Sequence, residues 1–125
     1  VGIADSPVGQ LAWSELFNSF GNGTSLVSRE KIVAQVTLYW LTNTATSSAR
    51  LYWESFHDLD ARPITVPVGA SIYPKEIFRP SRRWLESRCS DVRYFAEPPR
   101  GGHFAALEQP ASFVDEVRAA FAAMR

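Results

Sequence analysis

With 125 residues, 46% of them hydrophobic and 13% aromatic, the chain can bury one core but is too short for two independent domains. Thirteen basic side chains cancel thirteen acidic ones and are spread along the sequence, so nucleic acid and anionic membranes are not expected partners; a small or uncharged ligand is. Apolar runs fall short of the roughly 18 residues a membrane helix needs, and Cys89, the single cysteine, cannot close an internal disulfide, which fits a reducing compartment.

In chain order, Asp5-Ser6-Pro7 supplies a helix start with Pro in the first turn. Val8, Leu11, Ala12, Leu16 and Phe20 follow at helical spacing, and Gly21 is placed to end the helix. After the loop Gly21-Asn22-Gly23-Thr24, Ser28 can cap a second helix. Its apolar stripe is Ile32, Val33, Val36, Tyr39 and Trp40, continued after a small polar stretch by Ala45, Ala49, Tyr52, Trp53 and Phe56. The first half therefore reads as helical.

Beyond Arg62-Pro63 the period changes to two. Ile64, Val66, Val68, Ala70 and Ile72 share one parity and predict a strand, against which stands Pro67, with no N–H for a ladder bond. Pro80 and Ser81 open a helix through about Arg88, and Val92 to Phe95 reads as a short strand. Phe113, Val114, Val117, Ala120, Phe121 and Met124 make a last amphipathic helix. A β-α-β-α order predicts parallel strands with a right-handed crossover.

This order has a chemical consequence. Tyr73-Pro74-Lys75-Glu76 leaves the first strand and Gly101-Gly102-His103 follows the second, so both emerge at the carboxyl edge of one parallel sheet, where open α/β sheets bind ligands. Glu76 could then fix the tautomer of His103 and stabilise its cation, while the other ring nitrogen takes a proton from water or a nucleophile. Competing readings are a turn or packing role for His103 and a solvated carboxylate at a helix start for Glu76. His57 with Asp58 and Asp60 falls short of a metal site, since one histidine with loop carboxylates does not supply a ligand set.

Four segments in order, DSPVG, LYWLTNTATSSARLYWES, VPVGASIYPKEIFRPSRRW and RGGHFAALEQP, resemble the C-terminal part of the α/β-hydrolase-fold epoxide hydrolases of the microsomal-like branch. The resemblance implies an α/β fold in which residues 1–60 are the tail of a helical cap and its return, and 61–125 the last β-α-β-α of the parallel core sheet. It implies His103 as general base, Glu76 as its orienting acid and Tyr52 as a donor to the epoxide oxygen, although Tyr52, beside Trp53 on an apolar stripe, also fits a core position. The expected activity is epoxide plus water to a vicinal diol through an alkyl-enzyme ester, with no cofactor and no metal. The expected partners are a small apolar epoxide and the missing N-terminal half of the hydrolase, with a homo-oligomer left open.

The family's nucleophile is an aspartate on a turn upstream of the cap, and the chain has no such turn. Asp5, Asp58 and Asp60 lack the small-residue flanks of a strand-to-helix elbow. A fragment of a hydrolase is therefore expected, in keeping with a start at Val1 rather than Met. Localisation stays open, with the cytoplasm favoured for a bacterial source. Two other readings remain: a fragment of another α/β-hydrolase, an esterase or dehalogenase needing no tyrosine at position 52, and a non-catalytic binding protein of the same fold.

Overall fold

The structure, a computed structural model, describes residues 2–55 and 62–125. His57, Asp58, Asp60 and Phe56 lie outside the described residues, as does Val1. The chain divides into two compact units, one of residues 1–19 and 23–60 and the other of residues 20–22 and 61–125.

The described part of the first unit is helical. Ser6 caps the chain's second helix as expected, its hydroxyl accepting from Val8 N at 3.2 Å with Pro7 in the first turn. The single helix expected up to Phe20 is instead three: α1 (Gly2–Asp5), α2 (Pro7–Trp13) and α3 (Leu16–Ser19). The break has a local cause, because Ser14 Oγ bonds back to Gln10 O at 3.2 Å and Ser14 N is shared between the carbonyls of Gln10 and Leu11. Ser28 caps α4 (Arg29–Leu41), accepting from Lys31 N at 3.4 Å. The stripe expected to continue into α5 (Ala45–Ser55) is interrupted by Asn43, whose φ of 52° is the left-handed conformation that ends helices. Val27, Val36 and Ala45 are buried, whereas Val33, Leu51 and Trp53 on the expected stripe or beside it are exposed.

In the second unit, β1 (Val68–Ser71) and β2 (Val92–Ala96) pair in parallel, with α6 (Arg82–Glu86) between them in sequence. Ser81 caps α6 through Trp84 N at 3.2 Å, and the helix stops at Glu86, short of Arg88. The strand expected over 64–72 is also shorter. Pro67 cannot donate, so continuous pairing begins only at Val68, and Ile64 keeps a lone parallel bridge to Cys89. Val66, assigned to the buried parity, is exposed. Ile72, Tyr73, Cys89 and Ala105 are buried in this unit. A one-residue shift between Val68 and Gly69 leaves Arg93 as an extra residue in β2. The last helix, α8 (Pro110–Ala123), follows the short α7 (Ala105–Glu108), which the periodicity did not reveal, and packs on both strands. Glu116 ties α8 to the sheet, its Oε2 accepting from Ser71 Oγ at 2.6 Å and Tyr94 Oη at 3.0 Å. Beside it lies a groove of about 350 Å³ lined by residues of β1 and α8, such as Ser71 and Phe113, and by Tyr73 and Met124 just beyond them.

Candidate active site

Parallel pairing resumes beyond the two strands and builds the site. Lys75 N–H donates to Gly101 O at 3.1 Å, and Lys75 and Gly102 form a parallel bridge. The next residue on each side is Glu76 and His103, the same sequence offset of 27 apart, and their side chains meet, with His103 Nδ1 2.7 Å from Glu76 Oε1. The contact foreseen from element order is therefore present. It arises because two loops leave adjacent strands in register, with the backbone between them still bonded.

Both glycines of the RGGH segment are required by this approach. Gly101 has φ of 120°, a conformation L side chains rarely adopt, and a Cβ there would lie 2.7 Å from Tyr73 Cδ1. At Gly102 a Cβ would lie 2.8 Å from Lys75 Cβ and 3.0 Å from the Cα of Gly21. Bare backbone lets three chain segments converge under the histidine.

A carboxylate at Nδ1 sets the tautomer with the proton there and leaves the lone pair on Nε2. Glu76 is held in turn: its Oε1 also accepts from Ile77 N at 2.7 Å, and its own N–H donates to Tyr73 O at 3.1 Å. The imidazole meets Phe20 and Phe104 edge to face, with centroids 6.2 and 5.1 Å away. The histidine side chain is 42% exposed, so the ring remains open to a reactant.

Tyr52 belongs to the first unit, on α5, where its ring meets Trp13 edge-on at 6.3 Å and is half exposed. Among the described residues no group of three or more His, Cys, Asp and Glu is arranged to hold a metal ion, and no helix is long and apolar enough to cross a membrane. Asp5 ends α1, Asp91 precedes β2 and Asp115 lies within α8, so none of these described aspartates stands on a strand-to-helix turn.

The periodicity gave no hint of two further participants. Spacing makes Phe20, Gly21 and Asn22 a helix end and a loop, yet they belong to the second unit and lie against the histidine, Phe20 O accepting from His103 N at 3.0 Å. Glu108, within RGGHFAALEQP, is 5% exposed and bonds both the backbone and the side chain of Asn22. A carboxylate amid Phe104, Ala105, Ala106 and Leu107 was the available signal, since a buried acid must find partners.

No family model matches the chain. Its relatives are nevertheless consistent: a protein of Stigmatella aurantiaca provisionally named an epoxide hydrolase is 45% identical over 98% of this chain, and epoxide hydrolase 1 of Sus scrofa is 29% identical over 93% of it. This chain's homologues are epoxide hydrolases of the α/β-hydrolase fold. Juvenile hormone epoxide hydrolase of the silkworm Bombyx mori superposes on all of it with a TM-score of 0.87 at 29% identity, and Aspergillus niger epoxide hydrolase on 98% with 0.85 at the same identity. The chain spans 29% of the length of each of those two curated epoxide hydrolase relatives and 34% and 32% of the two solved chains, consistent with a C-terminal portion of the family's fold.

Proposed function

We propose that this chain carries the water-activating part of an epoxide hydrolase acting on a small apolar epoxide, with the nucleophile supplied by a part of the enzyme outside these 125 residues. The observation that carries the reading is the 2.7 Å contact between His103 Nδ1 and Glu76 Oε1 at the carboxyl edge of a parallel pair. Residues 1–60 take the part of the cap tail and its return, and 61–125 that of the end of the core.

In the first step an aspartate carboxylate attacks an epoxide carbon, a C–O ester bond forms and the ring C–O bond breaks. Tyr52 Oη–H donates to the oxygen that becomes negative. In the second, His103 Nε2 takes a proton from water as the water oxygen attacks the ester carbonyl, and Glu76 stabilises the imidazolium. Collapse of the adduct breaks the ester C–O bond, and the imidazolium gives its proton to the departing oxygen. The second water proton neutralises the oxygen that became negative in the first step, so that the diol leaves and the carboxylate and the free imidazole are restored. No cofactor is required.

The test is single-turnover kinetics of the full-length enzyme, with quenched samples analysed by mass spectrometry. His103→Gln should still form the ester but hydrolyse it about 10² to 10⁴ more slowly, so that the adduct accumulates. Glu76→Gln should slow the same step by up to roughly 10⁴ without removing the base. Tyr52→Phe should slow ester formation by up to about 10² and leave ester hydrolysis nearly unchanged. Normal turnover by His103→Gln, or loss of diol without a trapped ester, overturns the assignment, and a serine rather than aspartyl adduct points to an esterase.

A further inference from the structure

The catalytic pair is held from one side by the sheet, and the other side of the histidine loop needs an anchor. His103 N–H donates to Phe20 O at 3.0 Å, so the position of the histidine backbone depends on a segment more than 80 residues earlier in the chain. That segment is short, with Gly21 at its centre: Phe20, Gly21 and Asn22 belong to the second unit, while the residues on both sides belong to the first. Something must hold three residues in place, and the described bonds identify it. Glu108 Oε1 accepts from Asn22 N at 2.7 Å and Glu108 Oε2 from Asn22 Nδ2 at 3.2 Å, a two-pronged clamp on one residue. Gly21 is buried, and its Cα lies where a Cβ on Gly102 would be 3.0 Å away.

We infer that Glu108 is a positioning residue for the base. Its carboxyl group clamps Asn22, Asn22 fixes the Phe20 carbonyl, and that carbonyl holds the His103 backbone with Nδ1 on Glu76. The chain closes a loop of bonds from Glu108 at the end of α7 through residues 22 and 20 back to residue 103, which stands two residues before α7 begins. Histidine placement thus comes from two independent directions, Glu76 acting on the ring and Glu108 on the backbone. Because Glu108 is buried and Asn22 half-buried, removing the carboxyl takes away the acceptor of both bonds and releases the segment.

This rests on the two-step reading above, and the test separates the two ideas. Ester formation and ester hydrolysis are measured in single turnovers of the full-length enzyme, alongside His103→Gln as the reference for loss of the base. Glu108→Ala should slow ester hydrolysis by about 10- to 100-fold, a partial loss of the general-base effect, with ester formation within about twofold of the parent. Asn22→Asp, which sets a carboxylate against the clamp, should reproduce that defect. Combining Asn22→Asp with Glu108→Gln restores a donor facing an acceptor and should recover most of the rate. Equal slowing of both steps, an unchanged hydrolysis rate in Glu108→Ala, or no recovery in the double variant overturns the positioning role. Absence of an ester even in His103→Gln overturns the two-step reading instead.

Discussion

At the scale of single residues, the site depends as much on a missing side chain as on the ones present. His103 and Glu76 are ordinary residue types, and what brings them within 2.7 Å is a backbone that only glycine permits at position 101. Gly101→Ala would have to leave φ of 120° and move its Cβ away from the Tyr73 ring, a combined cost of about 1–3 kcal/mol by analogy with other strained positions. The relaxed loop would carry His103 off Glu76. Chemical denaturation of the full-length variant should show that loss of stability, and ester hydrolysis should slow more than ester formation. A variant with parental stability and rates would mean that the loop tolerates another backbone path. Tyr52, by contrast, is positioned on α5 against Trp13, and its chemistry is read from its place in the family's motif rather than from a contact with the pair.

At the scale of elements, the sheet and α8 are joined by polar as well as apolar contacts. Glu116 accepts from hydroxyls on both strands, and burial raises the pKa of Tyr94 above its ordinary 10.0, with the hydrogen bond to Glu116 and the carboxylate's charge adding to the shift. Burial likewise raises Tyr73; the charge of Glu116 adds a smaller push, and the hydroxyl of Ser112 opposes it. A folded-state pKa above the unfolded value means that the native state holds these protons more tightly. Their stabilisation is fully present below about pH 10 and is lost as pH rises through the folded-state values. Denaturant midpoints of the full-length enzyme should therefore fall on going above about pH 10, and the fall should shrink in Tyr94→Phe. An identical pH slope in Tyr94→Phe and the parent would show that this hydroxyl does not couple α8 docking to ionisation.

At the scale of the whole molecule, the chain carries the proposed base and its proposed orienting acid, in contact at 2.7 Å, and none of its described aspartates stands on a strand-to-helix turn. The 125 residues alone are expected to show no saturable hydrolysis of styrene oxide, because in the proposed reaction His103 acts only on an ester that must first be formed. They are also expected to self-associate. Among the described residues Trp53 is 79% exposed, Leu41 76% and Phe78 75%, and the two-stranded sheet offers unpaired edges. Gas-chromatographic diol assays and sedimentation of the purified chain check both points. A saturable rate abolished by His103→Ala would place a nucleophile within the chain and overturn the reading.

The order of elements was legible because it is local chemistry. Ser6, Ser28 and Ser81 sit where a side-chain oxygen can meet an unpaired helix N–H, and each does so. Alternating apolar residues marked the first strand and a short run from Val92 to Phe95 the second, and the order of strand, helix, strand was enough to place Glu76 and His103 at one edge. Their family roles were likewise read from the motifs around them. Element lengths were less legible: one missing N–H at Pro67 and one left-handed residue at Asn43 overrode runs that periodicity alone would have extended. What only the tertiary structure decided was the return of residues 20–22 to the histidine loop and their capture by Glu108. Those bonds join groups more than 80 positions apart, and no period or motif encodes which distant carbonyl a backbone N–H will find once apolar burial has brought the segments together.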